Sequence, residues 1–195
     1  PALRLAGEIY ADQKKIGDAI AVYRKILKAE PDDHDAALFL GRLYYVNNEI
    51  DKAIETLKEL AGKDPGNYAA YDYLGSIYID KKDYGEAEKY LRRALDIRPD
   101  LYNVYFKLGV ISEIKGNLDE AVKDYEASLN INPHNEQARE RLAQVFMKQK
   151  EPGKAIEEFR ALSRQQPQNA DVHVRLGMLY FEGNDYDKAL EEFQI

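Results

Sequence analysis

The sequence contains no cysteine and no tryptophan. Without a thiol, the chain cannot form a disulfide framework, a thiolate zinc site or a thiol nucleophile. Cysteine usage therefore leaves both cytoplasm and periplasm open as compartments, and of the two we favour the cytoplasm. Long apolar runs are also missing, since none approaches the roughly 18 to 20 residues that span a bilayer. The first residues, PALRLAGEIY, lack the charged-then-apolar order of a signal peptide.

Motifs that carry catalysis or bind phosphate are absent as well. The chain has no GxGxxG, GxxxxGK[ST], HExxH or GxSxG pattern. His34, His134 and His173 fall at unrelated positions, which is not the spacing of a metal site. The adjacent carboxylates of 157–158 and 191–192 point apart on a predicted helix, and we interpret them as solvated helix faces. We therefore expect no enzyme activity, no cofactor and no metal.

The charge balance excludes a further class of partner. Lys and Arg number 28 against 35 Asp and Glu, which gives a net charge of -7. This is the wrong sign for a surface that follows a phosphate backbone, so nucleic acid is not an expected partner. Hydrophobic residues make up 45% of the chain, which is enough to bury a core.

What the sequence does contain is a period of 34 residues. Prolines recur at this spacing at Pro31, Pro65, Pro99, Pro133 and Pro167. Alanines do so at Ala19, Ala53, Ala87, Ala121, Ala155 and Ala189. Glycines follow at Gly7, Gly41, Gly75, Gly109 and Gly177, with Ala143 in the missing place. A bulky column reads Tyr23, Leu57, Leu91, Tyr125, Phe159 and Phe193. An aromatic column reads Tyr10, Tyr44, Tyr78, Ser112, Phe146 and Tyr180. Such a period indicates a repeat architecture.

Each period predicts two helices. Leu40, Gly41 and Tyr44 share one helical face, and a second apolar face begins near Ala53. Each proline ends the preceding helix because it lacks an amide donor. We expect asparagines to cap the helix after the proline, at Asn67, Asn135 and Asn169. We expect aspartates to cap the second helix of a pair, at Asp51, Asp119 and Asp187.

These columns resemble the tetratricopeptide repeat family over the whole chain. LGRLYY, LGSIYI and LGMLYF match its first helix, and DKAIETL and DEAVKDY match its second. The resemblance implies an all-α fold, a right-handed α-solenoid of antiparallel helix pairs. The signature residues are Gly41, Tyr44, Ala53, Pro65, Gly75, Tyr78, Ala87, Pro99, Gly109, Ala121, Pro133, Ala155, Pro167, Gly177, Tyr180 and Ala189. The departures are Ser112, Ala143, and the Arg139 and His173 that stand where the family prefers a large apolar residue.

We expect one array over 1–195, with repeats at 1–33, 34–67, 68–101, 102–135, 136–169 and a truncated 170–195. The first repeat begins inside its first helix and the sixth stops before its register closes, so the sequence looks like part of a longer array. Leu190, Phe193 and Ile195 should then form an apolar end face. End-to-end self-association through that face is one expectation for partners.

A helical wheel places a second arc on each first helix, opposite the packed one. This arc carries apolar and aromatic residues across successive repeats, which is typical of a surface that meets a partner. The resemblance implies that first helices line a concave groove. The candidate groove residues are Leu38, Phe39, Arg42, Tyr45, Tyr73, Ile79, Asn103, Phe106, Lys107, Val110, Gln137, Arg141, Gln144, Met147, Arg175, Met178 and Phe181. An alternative is that some of these side chains fill the contact between neighbouring first helices.

Three cations, Lys107, Arg141 and Arg175, are successive members of one column. Arginine forks suit carboxylates, so an acidic segment or a free C-terminus is the expected ligand there. The alternative is that Glu140 and Asp171 pair with these cations locally. The sequence predicts a non-catalytic scaffold that binds a peptide or protein segment in its groove. The alternative is a structural spacer or self-assembling module of a larger machine, such as a bacterial envelope or pilus assembly.

Overall fold

The computed structural model describes residues 2–195, and this part of the chain contains twelve α-helices and no strand. The helices are Ala2–Asp12 (α1), Ile16–Ala29 (α2), His34–Val46 (α3), Ile50–Lys63 (α4), Tyr68–Asp80 (α5), Tyr84–Ile97 (α6), Tyr102–Ile114 (α7), Leu118–Ile131 (α8), Glu136–Lys148 (α9), Pro152–Gln165 (α10), Ala170–Glu182 (α11) and Tyr186–Phe193 (α12). Each odd-numbered helix packs against the even-numbered helix that follows it. The all-α architecture of repeated helix pairs is therefore confirmed.

A tight turn joins the two helices of every pair. In the third pair Lys82 has φ 59°, its amide donates to the Ile79 carbonyl at 2.8 Å, and the Asp83 amide donates to the Tyr78 carbonyl at 2.9 Å. These two bonds form a Schellman motif, which satisfies carbonyls that the helix end leaves open. Left-handed residues occupy the same position in all six turns: Lys14, Asn48, Lys82, Gly116, Lys150 and Asn184. The turn reverses the chain and makes each pair antiparallel.

The link from one pair to the next begins at the proline. Pro65 follows the end of α4, and Asn67 then caps α5 by accepting a hydrogen bond from the Ala70 amide at 3.2 Å. Asn135 caps α9 by accepting from the Ala138 amide, and Asn169 caps α11 by accepting from the Asp171 amide. The expected asparagine caps are therefore confirmed.

The expected aspartate caps are wrong. Asp51, Asp119 and Asp187 lie in the first turn of α4, α8 and α12, where the helix has already begun. The cap of α12 is instead Asp185, whose carboxylate accepts from the Lys188 amide. The difference has a physical reason, since each second helix begins two residues after the left-handed residue of the Schellman turn, and the residue between them is the cap. The acidic side chains in the first turn still suit the positive end of the helix dipole.

The glycine column holds the two helices of a pair close together. A Cβ added at Gly109 would lie 2.6 Å from the Tyr125 ring, and one at Gly75 would lie 2.5 Å from Leu91. Both partners belong to the bulky column, which fills the space that each glycine leaves. The small residues of this column therefore permit the close contact between the two helices.

Two compact units make up the structure, the first ending at Pro99 and the second spanning Asp100–Ile195. In the first unit, Ala53, Leu57 and Leu74 are fully buried. In the second, Tyr125 and Phe159 are fully buried within a single hydrophobic cluster. The signature columns thus supply the core of both units.

The polar departures from the repeat pattern are matched by partners on the second helix of their own pair. Arg139 pairs with Glu158 at 2.8 Å, and the buried His173 contacts Glu192 at 2.6 Å. Burial raises the pKa of Glu158, and the Arg139 guanidinium offsets only part of that effect. The interpretation of Glu158 and Glu192 as solvated side chains is therefore wrong, because each faces the polar residue that replaces an apolar one.

Ser112, which interrupts the aromatic column, has a similar match. Its hydroxyl donates to the buried Asp124 carboxylate at 3.2 Å. The residues 34 positions earlier are Tyr78 and Tyr90, which stack with ring centroids 5.5 Å apart. A hydrogen-bonded polar pair therefore replaces an aromatic pair, and neither buried polar side chain lacks a partner.

Candidate functional site

The candidate surface is the face formed by successive first helices within each unit, here called the first-helix face. In the first unit, the guanidinium of Arg42 on α3 lies between two aromatic rings. It is 5.3 Å from the centroid of Phe39 and 5.2 Å from that of Tyr73 on α5. Phe39 in turn stacks on Tyr23 at 4.6 Å. Cation–π contacts thus fix Arg42 between two neighbouring first helices.

Tyr45 also connects α3 to α5, by donating a hydrogen bond to the Asp80 carboxylate. Burial, together with this hydrogen bond and the negative charge, raises the pKa of Tyr45 to about 12. Leu38 and Ile79 are half-buried. In the first unit, Arg42 and Tyr45 of α3 thus contact Tyr73 and Asp80 of the neighbouring first helix α5.

In the second unit, Glu113 is the centre of a charged cluster on the first-helix face. It accepts from the Tyr125 hydroxyl at 3.0 Å and from Lys148 Nζ at 2.6 Å, and Arg141 Nη1 lies 3.6 Å away. Only 8% of the Glu113 side chain is exposed. Burial alone would raise its pKa, but the bonds from Lys148 and Tyr125 and the Arg141 charge outweigh it, so the pKa of Glu113 is lowered. Glu113 is therefore ionised at neutral pH, and three neighbouring side chains hold it in place.

The other cations of the predicted column have partners too. Arg175 Nη2 lies 3.8 Å from Glu140 Oε1, which also accepts from Gln144 Nε2 at 3.1 Å. Arg175 and Glu140 are both about half exposed, and exposed pairs of this kind contribute about 0 to 1 kcal/mol. Glu140 was an expected local partner of the column. Asn103, Phe106, Lys107 and Gln137 line one open depression between α7 and α9.

The apolar candidate residues of the second unit fall into a half-buried group and an exposed group. Phe106 and Val110 are half-buried against the core, with the Phe106 ring 5.9 Å from that of Tyr125. By contrast, 55% of Met178 and 59% of Phe181 are exposed on α11. Val174 on the same helix and Met147 on α9 are exposed as well. Spacing of i, i+4 and i+7 places Val174, Met178 and Phe181 on one side of α11.

Three residues of this face were not among the sequence candidates: Asp80, Glu113 and Lys148. One signal for Glu113 was available, because it is a carboxylate in a column that otherwise reads Ala11, Tyr45, Ile79, Met147 and Phe181. Nothing in the periodicity marks Asp80 or Lys148. Both are recognised only when the neighbouring first helix is in place, as partners 35 residues from Tyr45 and Glu113.

Within residues 2–195, no group of His, Asp and Glu side chains is arranged to hold a metal ion. None of the helices described there has the length and apolar composition of a membrane span. The first-helix faces present aromatic, apolar and charged side chains on a scaffold of short repeated helix pairs. These features define the class of helical repeat proteins.

Two family models, both described as tetratricopeptide repeat, match the chain. One matches residues 10–76, 114–170 and 146–194, and the other matches residues 68–101. The chain therefore belongs to the tetratricopeptide repeat family. Proteins of this fold are generally protein-interaction scaffolds. A comparison with curated protein sequences gives no match.

Solved structures support the fold assignment. PilF of Pseudomonas aeruginosa is similar, with a TM-score of 0.82 and 23% identity over 98% of this chain and 87% of that one. A crystal structure of MamA has a TM-score of 0.76 and 26% identity, over 85% of this chain and 96% of that one. YrrB, described as a TPR protein with an unusual peptide-binding site, has a TM-score of 0.73 and 21% identity over 87% and 88% of the two chains.

Proposed function

We propose that the protein is a non-catalytic interaction scaffold whose first-helix face binds a segment of another protein. The observation that carries this proposal is the exposed apolar patch of the second unit, formed by Met147, Val174, Met178 and Phe181. Methionine and aromatic side chains are enriched where proteins meet, and a flexible methionine adapts to the shape of a partner. An extended or helical peptide that covers Phe181 would bury a phenylalanine side chain that is now 59% exposed to water.

Charged residues beside the patch provide selectivity. Arg175 is half exposed and its pair with Glu140 is long, so a carboxylate of the ligand can replace Glu140 at small cost. Arg141 is held more firmly, because its partner Glu113 is almost fully buried. We therefore propose that Arg175 contacts acidic groups of the ligand, while Glu113 and Lys148 keep the face rigid. Such charges affect encounter and register more than affinity.

The peptide-binding description of YrrB is consistent with this function, but that likeness is one of fold. Our proposal rests on the side chains of this chain. Non-catalytic binding also agrees with the family, whose members generally serve as interaction scaffolds.

The test is a selection of peptides from a random displayed library on the immobilised protein. Enriched peptides are then synthesised with a fluorophore, and their affinity is measured by anisotropy. We expect Phe181→Ala and Met178→Ala each to weaken binding about tenfold or more, because buried anchors dominate interface energies. Ile131→Ala is the matched control, since Ile131 is exposed on the second helix α8 of the same unit.

Charge is tested with Arg175→Glu. For an acidic peptide, this change should weaken binding most at low salt, since salt screens exposed charges. Equal affinity of the enriched peptides for wild type, Phe181→Ala and Met178→Ala would reject the first-helix face as the binding surface. Insensitivity to both Arg175→Glu and salt would reject the acidic ligand.

A second proposed function is end-to-end self-association as part of a larger structure. Apolar side chains are exposed in both terminal helices, including Leu3 and Leu5 on α1 and Leu190 on α12, and Ile195 is exposed just beyond α12. Sedimentation equilibrium tests this directly. The average mass should rise with protein concentration, and Leu190→Glu combined with Ile195→Glu should abolish the rise. A constant monomer mass at all concentrations would reject self-association.

A further inference from the structure

One position of the repeat, here called the slot, carries side chains of different size and chemistry along the chain. Within each unit, the slot lies on a first helix, between the second helix of its own pair and the second helix of the preceding pair. It is occupied by Ala37, Tyr71, Tyr105, Arg139 and His173, which are 34 residues apart. Alanine is the only small member of this series. The contacts made by the larger side chains show which kind of group fits this position.

Tyr71 shows how an aromatic ring fits the slot. Its hydroxyl donates to the Ala61 carbonyl at 3.4 Å, its ring stacks 6.4 Å from that of Tyr90, and Arg93 lies 5.9 Å above it. The Ala61 carbonyl accepts this bond because residue i+4 is Pro65, which has no amide hydrogen to complete the helix. The tyrosine therefore satisfies a carbonyl that the proline leaves open.

Polar slot residues bond to the same turn. Arg139 Nη2 donates to the Pro133 carbonyl at 3.0 Å, and His173 Nε2 lies 3.3 Å from the Pro167 carbonyl. Each of these side chains also contacts a glutamate on its own second helix. Tyr71, Arg139 and His173 thus all combine a side-chain packing role with a bond to a backbone carbonyl near the proline.

At Ala37 the slot is empty and forms a cavity of about 160 Å³. Residue 56, which corresponds to Tyr90, is Thr56, so both rings of the third pair are missing here. The cavity is lined by Leu27, Pro31, Ala37, Thr56, Glu59 and Leu60. Three of these residues, Leu27, Thr56 and Glu59, are the counterparts of Ala61, Tyr90 and Arg93, which surround the Tyr71 ring.

The Ala37 slot also has a backbone carbonyl that lacks a helical donor, as the Tyr71 slot does. Pro31 lies four residues after Leu27 and cannot donate to its carbonyl, just as Pro65 cannot donate to Ala61. The rim carries His34, whose Nδ1 is 3.5 Å from Asp64, and Lys63, whose Nζ bonds to the Pro31 carbonyl at 3.4 Å. The cavity therefore has an apolar interior, an acceptor at one wall and a polar rim.

We infer that this cavity is a binding site for a phenol ring, supplied by a tyrosine side chain of a partner protein. A pocket for a drug-sized ligand has a volume of about 300 to 1,000 Å³, so this cavity is too small for one. It has the size of cavities that accept a single ring, since one of about 150 Å³ binds benzene. The hydroxyl would donate to Leu27 O, as Tyr71 donates to Ala61 O. No residue of the first-helix face lines the cavity, so the site is separate from the proposed peptide surface.

The experiment titrates the ¹⁵N-labelled protein with 4-methylphenol and follows the amide resonances of Leu27, Ala37 and Thr56. We expect saturable shifts confined to this cavity. Toluene, which has the same ring without the hydroxyl, should bind about fivefold more weakly, the effect of one neutral hydrogen bond. N-acetyltyrosine amide should shift the same resonances. Binding of 4-methylphenol but not of N-acetyltyrosine amide would overturn the assignment to a protein side chain.

The matched variant is Ala37→Tyr, which restores the residue of the next helix pair. It should fill the cavity from within, raise the thermal midpoint and abolish the shifts caused by 4-methylphenol. Thr56→Leu, which fills the cavity from the opposite wall, gives a second measurement if Ala37→Tyr does not fold. Absence of saturable binding to the wild type, or unchanged binding to a folded Ala37→Tyr or Thr56→Leu variant, would overturn the site. Toluene and 4-methylphenol binding equally would overturn the contact with Leu27.

Discussion

Replacing Gly109 with alanine tests the close helix contact that a glycine makes in five of the six pairs, with Ala143 in the other. The added Cβ would lie 2.6 Å from Tyr125 Cε1, 2.7 Å from Cδ1 and 3.1 Å from Cζ. The ring cannot move aside easily, because Tyr125 is fully buried and its hydroxyl is bonded to Glu113. The substitution therefore requires α7 and α8 to separate or the Glu113 cluster to break.

Two opposing effects set the magnitude. Overpacking a filled core costs about 1 to 3 kcal/mol. Alanine recovers up to about 1 kcal/mol relative to glycine inside a helix. The 2.6 Å contact with a fully buried ring places the overpacking cost in the upper part of that range, about 2 to 3 kcal/mol. We therefore expect a net loss of about 1 to 2 kcal/mol for Gly109→Ala and a larger loss for Gly109→Leu. For a chain of this length, each 1 kcal/mol lowers the thermal midpoint by about 2 to 4 °C.

The assay is urea unfolding monitored by circular dichroism, with Gly153→Ala as the control. Gly153 is a helical glycine in the same unit, and a Cβ there would meet no atom within 4 Å. It should therefore gain stability, by up to about 1 kcal/mol. Opposite signs for the two variants are the expected result. If Gly109→Ala proved as stable as wild type, the glycine column would not be the determinant of helix spacing.

Three further predictions concern charge and turn geometry. The pKa of Glu158 is raised above its ordinary 4.5, so the folded state favours its protonated form. The contribution of Glu158 to the free energy of unfolding is therefore fully present below pH 4.5 and is lost as the pH rises through the raised pKa. Arg139→Met should raise the pKa further, so its urea midpoint should fall below that of wild type by more at pH 7 than at pH 4.5. The pKa of Glu113 is lowered, so its contribution is present above 4.5 and is lost as pH falls; Glu113→Gln should cost stability at pH 7, and the gap in urea midpoint should close in acid. The left-handed conformation of Lys82 costs about 1 kcal/mol. Lys82→Gly should therefore raise the free energy of unfolding by about 0.5 kcal/mol, and with it the urea midpoint, because the greater chain entropy of glycine offsets the rest. A larger loss of urea midpoint for Arg139→Met at pH 4.5 than at pH 7 would contradict the Glu158 argument. A difference in midpoint between Glu113→Gln and wild type that stays constant with pH would contradict the Glu113 argument. A lower midpoint for Lys82→Gly would contradict the turn argument.

The fold could be predicted from the sequence because its determinants are local and repeated. Gly109, Tyr125 and Pro133 stand at fixed places in one period, and the same contacts recur in the other pairs. The exact starts of the second helices could not be predicted in this way. Asp51 has the right composition for a cap, but the start of α4 is set by the left-handed turn at Asn48 before it.

The candidate site was predictable only in part. The helical wheel groups Tyr45 and Phe181 at the same position of their first helices. It does not reveal which of these side chains contacts a neighbouring first helix, because the contacting residue lies about one period away in the sequence. Tyr45 bonds to Asp80 and is half-buried, whereas the Phe181 ring packs edge-on against Tyr186 and is mostly exposed.

The slot pairs have a consequence for how such a chain can change by recombination. Arg139 and Glu158 belong to one helix pair, as do Tyr71 and Tyr90, so duplicating or deleting a whole pair transfers a residue together with its partner. A crossover inside a pair would instead place a tyrosine opposite a glutamate and leave a buried carboxylate without a cation. Bonds such as the one from Tyr45 to Asp80 join consecutive pairs and limit which pairs can be neighbours. Each pair is therefore an exchangeable module, and the contacts on its first-helix face determine which other pairs can stand next to it.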